Sequence, residues 1–368
     1  MPTIDTLELR HFRLYESSVT SFNPHINIIL GDNAQGKTSL LEAIHTLALT
    51  KSHKTTADRD MIAHESPFMS IKASLQSERA NQSLELIISK EGKKARHNHV
   101  DYKRLSDYVG FLNVVMFAPE DLNLIKGGPS DRRRFLNLEI GQLNRHYVYH
   151  LNQYRRLLKE RNEQLKVMRE NSETEDPLLE VLTEQMQHYI TRITRERKRF
   201  IETLDEKTRA IYKSLSEEKE TVRLAYQPSV TEDVKNAFER KRRFDISSGS
   251  TSIGPHRDDC VFYFGDKPVM QTASQGQIRT LALALKLAVS QLIKEKRHMA
   301  PIVLLDDVFS ELDDKRQKNL LEFFDQDSQI FITSTSLEAM HLDALEAYQL
   351  FKVEAGQIEG VKSYGSTL

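Results

Sequence analysis

Eight consecutive residues, Gly31, Asp32, Asn33, Ala34, Gln35, Gly36, Lys37 and Thr38, fit the phosphate-binding pattern G-x-x-x-x-G-K-[ST] at every fixed position. In such a loop the backbone N–H groups face phosphate oxygens, Lys37 neutralises β/γ charge, and the Thr38 hydroxyl offers Mg²⁺ a hard oxygen ligand. Ser39, the next residue, is counted with the loop as a nucleotide contact. Far downstream, Asp306 and Asp307 end the apolar run Ile302–Leu305. Asp306 is the metal-side acid, holding Mg²⁺ through water, and Asp307 is the candidate general base for an attacking water. The alternative is that the acids merely cap a helix beginning near Ser310. A third segment, Ser274-Gln275-Gly276-Gln277, places a serine and a glycine at a helix start, a second anion-binding N-terminus or a plain N-cap.

The elements that must carry these groups are legible in their flanks. Ile26–Leu30 is a short β-branched run ending at Gly31, as expected of a buried strand, and residues 39–44 continue with helical spacing. Ile302–Leu305 reads as a strand, and residues 281–288 form part of a long Ala/Leu-rich helix after Ser274. Between the motifs, apolar residues recur at Leu143, Tyr147, Leu151, Tyr154 and Leu158, and again at Leu182, Met186, Ile190, Ile193, Phe200, Leu204, Ile211 and Leu215. Two long amphipathic helices follow, from Ser130 to about Met168 and from Leu178 onward, joined by the polar turn 171–177 with Pro177 at or near the first helical position. They are expected to pack antiparallel, each of roughly 40 residues and hence about 60 Å long.

Composition narrows the function classes. No apolar run approaches the roughly twenty residues of a membrane span, and the first residues lack the apolar core of a signal peptide, so the expected location is the cytoplasm, with no membrane partner. A single cysteine, Cys260, excludes an internal disulfide and any multi-cysteine zinc site. The net charge is −1 although 29% of residues are charged, a balance that neither points to nor excludes nucleic acid. A chain of 368 residues should form two lobes.

Together the three motif segments resemble the ABC-type ATPases, in which Ser274-Gln275-Gly276-Gln277 matches the signature motif and Asp313 the D-loop. The resemblance implies ATP and Mg²⁺ as cofactors and a homodimer that sandwiches ATP, with Ser274, Gly276 and Gln277 of one copy over the γ-phosphate held by the other. It also implies an α/β fold, an ABC-type P-loop ATPase lobe over residues 1–125 and 250–368 with a coiled-coil-like long-helix lobe inserted at 126–249. Arg13, after a predicted edge strand, is either a phosphate contact or a solvated arginine. Glu120 stands where transporters carry the Q-loop glutamine and would contact Mg²⁺ or water. Departures are Asp307, one methylene shorter than the usual glutamate and therefore slower in hydrolysis, Ser334 in place of the switch histidine, and Gln275 where the signature often has glycine.

Further segments narrow the resemblance to a bacterial DNA-repair branch of this superfamily: residues 9–13, 117–122, 127–136 and 254–259. That branch implies recombinational repair at single-strand gaps, binding to duplex or gapped DNA, and action with RecR and, through it, RecO to help load RecA. The competing classes are an SMC-like DNA-processing ATPase, disfavoured by the short helices, and a transporter motor subunit, which lacks the insert. The helix start Asp131-Arg132-Arg133-Arg134 sets three cations against the positive helix dipole, calling for a nearby anion or a salt-bridged face, and Gly254-Pro255-His256-Arg257 should be a turn, with His256 either catalytic or structural. Basic candidates for DNA phosphates are Lys90, Lys93, Lys94 and Arg96 on a predicted hairpin, Arg192, Arg195, Arg197, Lys198 and Arg199 on the second long helix, and residues 240–243. None is interleaved with aromatic residues in the chain, so duplex backbone is the expected ligand.

Overall fold

The computed structural model describes residues 2–77, 80–216, 221–312, 314–324, 328–337 and 347–364. Cα packing divides the chain into one unit of residues 1–121 and 286–368 and a second of residues 122–285. The second crossing therefore falls at Leu285/Lys286 rather than near residue 250. The reason is local: Asp259–Phe264 pairs in register with Val222–Gln227, and Arg132 forks onto Asp259, so this stretch is built into the second unit.

The first unit holds two six-stranded sheets. One is mixed and runs in the order Gln357–Tyr364, Tyr348–Glu354, Ile26–Leu30, Ile330–Ser334, Ile302–Asp306, Val114–Phe117. Its last five strands are parallel, and only the terminal hairpin is antiparallel. Ile302–Asp306 and Ile330–Ser334 are buried at every position, which is why their leading residues, 302–305 and 330–332, are continuously apolar instead of alternating. The other sheet is antiparallel, in the order Tyr15–Ser21, Thr3–Phe12, Phe68–Gln76, Gln82–Ser89, Gly92–His97, Val100–Tyr102. The strand before Arg13 is thus interior rather than an edge, because the chain reverses at Arg13 and Leu14 and Tyr15–Ser21 pairs back along it.

Helix Lys37–Leu49 is buried from Leu40 to Leu49 and contacts strands of both sheets, mostly through Leu, Ala and Ile, with Glu42, His45 and Thr46 buried among them. Gln329 ties the sheets at their other end: its side-chain amide, fully buried, receives Ile4 N–H at 2.7 Å and donates to Ile4 O at 2.8 Å and Asn23 O at 2.9 Å.

The second unit is mainly helical. The expected single helix from Ser130 is two, Pro129–Leu143 and Arg145–Asn171. They are broken by Asn144, whose extended backbone and side-chain oxygen, accepting from His146 N and Tyr147 N, restart the helix as an N-cap. Its partner Pro177–Leu215 spans 39 residues, with Asp176 as N-cap and Pro177 at N1. Helix Val234–Ser248 and the sheet Lys267–Pro268, Asp259–Phe264, Val222–Gln227 complete this unit together with the start of helix Gln275–Arg297. Among the described residues no helix is long and apolar enough to cross a membrane.

Two buried arginines organise these helices. Arg161 donates to Asp245 Oδ2 at 3.0 Å and Thr251 Oγ1 at 2.7 Å. Arg197 reaches Asp258 Oδ2 at 2.8 Å, Pro255 O at 2.6 Å, Tyr147 OH at 3.0 Å and Asn137 Oδ1 at 3.0 Å. Replacing Arg197 by Met leaves the Asp258 carboxylate buried without its cation, which is expected to cost about 3–5 kcal/mol. Urea denaturation followed by circular dichroism checks this, and Arg197→Met with Asp258→Leu should recover much of the loss.

Candidate functional site

The parallel register aligns the carboxyl ends of three strands. Asp306 pairs with Thr333, and Leu30 leads directly into the phosphate-binding loop. Ligand sites of open α/β sheets form at this edge. Asp306 Oδ1 accepts the Thr38 hydroxyl at 2.8 Å and the Thr333 hydroxyl at 2.9 Å, and Thr333 Oγ1 in turn receives Asp307 N–H at 3.0 Å. Burial pushes the Asp306 carboxyl above its ordinary pKa. The Thr38 and Thr333 bonds and the Lys54 charge oppose that shift, while Asp307 adds to it.

Thr333 is absent from the sequence-derived site. The signal that could find it is its place one strand over from Asp306, level with it at the end of a parallel run. Asp307 occupies the N-cap position of the 3₁₀ turn Val308–Glu311 with φ 50° but makes no side-chain cap bond, so its carboxylate is not spent on capping. Ser334 is buried, its hydroxyl bound to Ser336 O at 2.8 Å.

The loop is held from several sides. Gly36, at φ 118°, needs the left-handed region, and its carbonyl accepts the buried Tyr15 hydroxyl at 2.9 Å. A Cβ on Gly31 would lie 2.4 Å from Val353 O. Gln35 Oε1 receives Ala355 N–H at 2.6 Å and Gln35 O receives Gly356 N–H at 3.0 Å, so the terminal hairpin grips the loop. Asp32, Asn33 and Ala34 stay exposed, and Thr38 and Ser39 are part-buried. Lys37 is 4% exposed, and its ammonium donates to Gly31 O at 2.6 Å and Asp32 O at 3.0 Å. A buried cation answered by neutral carbonyls alone is incompletely compensated. A polyanion at the loop meets that requirement, and the hydroxyl–carboxylate pair Thr38/Asp306 is the hard-oxygen donor set that suits Mg²⁺.

Other predicted residues fall elsewhere. Arg13 forks onto the buried Glu42 at 2.9 and 2.7 Å and donates to Asp60 O at 2.6 Å, so helix Lys37–Leu49 takes up its charge. Glu42 also accepts from Ser52, whose hydroxyl receives Lys54 N–H at 2.9 Å. Glu120 is exposed in the turn Pro119–Asp121. Its neighbour Asp121 is the engaged acid, pairing with Lys286 at 3.0 Å. Ser274 and Gln277 exchange bonds as a reciprocal cap, Ser274 N–H to Gln277 Oε1 at 2.6 Å and Gln277 N–H to Ser274 Oγ at 3.2 Å, while Ser274 and Gly276 remain exposed. Asp313 lies outside the described residues.

The helix-start arginines meet protein acids and carbonyls. Arg132 forks onto Asp259 at 2.7 and 2.9 Å, and Arg133 donates to Asp258 O at 2.9 Å. The two segments at 127–136 and 254–259 are therefore partners of each other. His256 lies in the expected turn, closed by Arg257 N–H to Gly254 O at 2.8 Å, with both ring nitrogens engaged, by Tyr154 OH at 2.6 Å and Thr251 O at 2.9 Å. Burial lowers its pKa, as a neutral structural imidazole requires.

Most of the basic candidates are matched by acids. Lys93 pairs with Asp58, Lys94 with Asp101, and Arg96 with Asp101 and Glu85. Arg240 pairs with Glu232, Arg242 with Glu180, and Arg199 lies 3.8 Å from Glu196. Arg197 is buried, whereas Lys90, Arg192, Arg195, Lys198 and Arg243 are exposed.

Residues 3–359 match the family model described as the RecF/RecN/SMC N-terminal domain. The chain is 43% identical over 366 residues to the DNA replication and repair protein RecF of Geobacillus thermodenitrificans, covering 96% of this chain and 98% of that protein. A solved structure described as the recombination mediator protein RecF-ATP in the RecFOR pathway superposes with a TM-score of 0.90 at 30% identity, covering 98% of each chain. The Smc head domain of Pyrococcus furiosus, with an extended coiled coil, shares the fold at a TM-score of 0.56 and 17% identity, covering 99% of this chain and 97% of that one.

Two expectations follow from the site. Asp306→Asn relieves a desolvated charge, so it should raise the thermal midpoint of the nucleotide-free protein at neutral pH. Because burial raises the carboxyl's folded pKa, that gain should vanish as pH falls through the raised value toward about 3.9. Calorimetry across pH checks the sign. Tyr15→Phe removes one neutral hydrogen bond to the loop and should weaken ATP binding about 2- to 10-fold in a fluorescent-nucleotide titration.

Proposed function

Because this chain belongs to the RecF branch of the RecF/RecN/SMC N-terminal domain family, we propose that it is an ATP-dependent DNA-binding protein of recombinational repair acting at single-strand gaps. The observation that carries the reading is the buried Lys37 ammonium, bonded among the described residues only to loop carbonyls and adjacent in sequence to Thr38, whose hydroxyl is bound to Asp306. Residues 31–39 cradle the triphosphate of ATP through backbone N–H groups and Lys37. Thr38 and Asp306 would hold Mg²⁺, Thr38 through its hydroxyl and Asp306 through water. When bound, Mg²⁺ supplies Lewis-acid stabilisation of charge on the β- and γ-phosphate oxygens.

Asp307 takes the attacking water as general base. Its short side chain favours slow turnover, suited to a switch rather than a motor. Ser274, Gly276 and Gln277 of a second copy close over the γ-phosphate. Arg13 would reach the nucleotide phosphates only by leaving Glu42, and the exposed Glu120 would contact Mg²⁺ or its water. The ATP-closed homodimer unites basic surfaces from both copies on duplex or gapped DNA. It then acts with RecR, and through it RecO, to help load RecA; the description of a relative as a recombination mediator in the RecFOR pathway supports the placement in that pathway. The chain is an ATPase stimulated by the DNA that stabilises the closed dimer.

Light scattering with ATP and Mg²⁺ tests the switch. Wild type and Asp307→Asn should dimerise only with ATP, while Lys37→Met and Ser274→Arg stay monomeric. Four monomers under every condition, with and without gapped duplex, would remove the sandwich mechanism. Duplex affinity equal with and without ATP would remove the nucleotide control.

A further inference from the structure

Asp307 has a backbone conformation that side-chain-bearing residues avoid. It sits at φ 50° and ψ 21°, in the left-handed region, where a non-glycine residue persists only when its surroundings hold it there. Two hydroxyls do so from opposite sides. The Asp307 N–H donates to Thr333 Oγ1 at 3.0 Å, and the Asp307 carbonyl accepts the Ser310 hydroxyl at 2.7 Å. Thr333 is fully buried on the neighbouring strand, whereas Ser310 is exposed in the turn Val308–Glu311.

The turn that carries Ser310 is itself fastened. Gln317, buried on helix Asp314–Phe323, donates its side-chain amide to Phe309 O at 2.9 Å and Leu312 O at 3.2 Å, one on either side of Ser310 in the chain. On the other side, the Thr333 hydroxyl lies 2.9 Å from Asp306 Oδ1 and 3.5 Å from Leu305 O, so its hydrogen goes to the carboxylate and its lone pair receives the Asp307 N–H. An unbroken chain of hydrogen bonds therefore runs from Asp307 N–H through Thr333 to Asp306, which also accepts Thr38. The Asp307 side chain makes no cap bond and takes no part in this fastening.

A carboxylate on so short a side chain is aimed chiefly by the direction of its Cα–Cβ bond, which φ and ψ set. Relaxing Asp307 into the right-handed region would turn a peptide group away from its hydroxyl and swing that bond with it. We propose that Ser310 and Thr333 are positioning residues for ATP hydrolysis: they clamp the two peptide groups of Asp307 and so hold its carboxylate in one direction before the nucleotide arrives. The proposal rests on the reading of Asp307 as general base. A Ser310 hydroxyl that instead served the contact with a second copy would act on dimerisation, and one that only capped the turn would act on stability whatever residue stood at position 307.

Steady-state ATP hydrolysis by the full chain tests this. Ser310→Ala should lower kcat about 2- to 10-fold, the loss expected for one neutral hydrogen bond. KM, the Mg²⁺ concentration for half-maximal rate and the light-scattering response to ATP should stay at wild-type values, and Ser310→Thr should restore the rate. Thr333→Val should lower kcat and also raise the Mg²⁺ requirement, because Asp306 loses the same hydroxyl, while Thr333→Ser keeps most of both. In the Asp307→Asn background, read as residual turnover with protein in excess over labelled ATP, Ser310→Ala should cost nothing further, since it acts only through that carboxylate. Ser310→Ala with wild-type kcat, an equal loss in both backgrounds, or a loss confined to the ATP-dependent dimer would overturn the clamp while leaving the general base in place. Asp307→Asn turning over at the wild-type rate would remove the general-base reading itself, and this proposal with it.

Discussion

One carboxylate oxygen holds the site together. Asp306 Oδ1 accepts hydroxyls from the loop helix and from the neighbouring strand, and the same strand hydroxyl fixes the backbone of Asp307. This knot exists only because three parallel strands end level with one another, and a slip of one residue would turn Thr333 to the opposite face. Gln329, just before that strand, guards the register from the other end with three bonds to Ile4 and Asn23. The two sheets are therefore tied where the chemistry is absent, and the loop is free to be shaped where it is present.

That shaping opposes stability. A desolvated Asp306, an ammonium answered by carbonyls and a left-handed Asp307 are each unfavourable alone, and they cluster within one strand edge. Strain and uncompensated charge of this kind persist only where surrounding structure overdetermines them. Here the overdetermination comes from Tyr15 beneath Gly36 and from the terminal hairpin, whose turn bonds Gln35 twice. The loop is thereby preset for a polyanion instead of being ordered by it, which lowers the entropic cost of binding.

The helical unit uses charge differently. Arg161 and Arg197 are each 1% exposed and are satisfied by acids, hydroxyls and carbonyls drawn from distant segments. Arg132 and Arg133 are likewise turned onto residues 258 and 259. The charged segments that looked most distinctive in the chain are thus internal fasteners, while the exposed Arg192 and Arg195 stand beside His188 on the hairpin.

By itself the sequence determined what local patterning controls. Gly31 to Thr38 can form little else between an apolar strand and a helix, and the largely apolar runs at residues 26–30 and 302–305 specify buried strands. It also determined the polar turn and Pro177 start of the long second helix. Only the tertiary structure decided which groups meet. Thr333 became part of the site because hydrogen-bonded register, not sequence distance, set it beside Asp306. Asn144 ended a helix that apolar periodicity alone would have continued, since a cap acts through one side-chain oxygen and leaves the hydrophobic pattern unchanged. Arg13 and Arg132 found carboxylates contributed by other elements, and rings from two helices packed on one another. A linear chain displays the charge and shape of each side chain. Its partner, and so whether its charge remains available to a ligand, is fixed only when packing brings distant segments into contact.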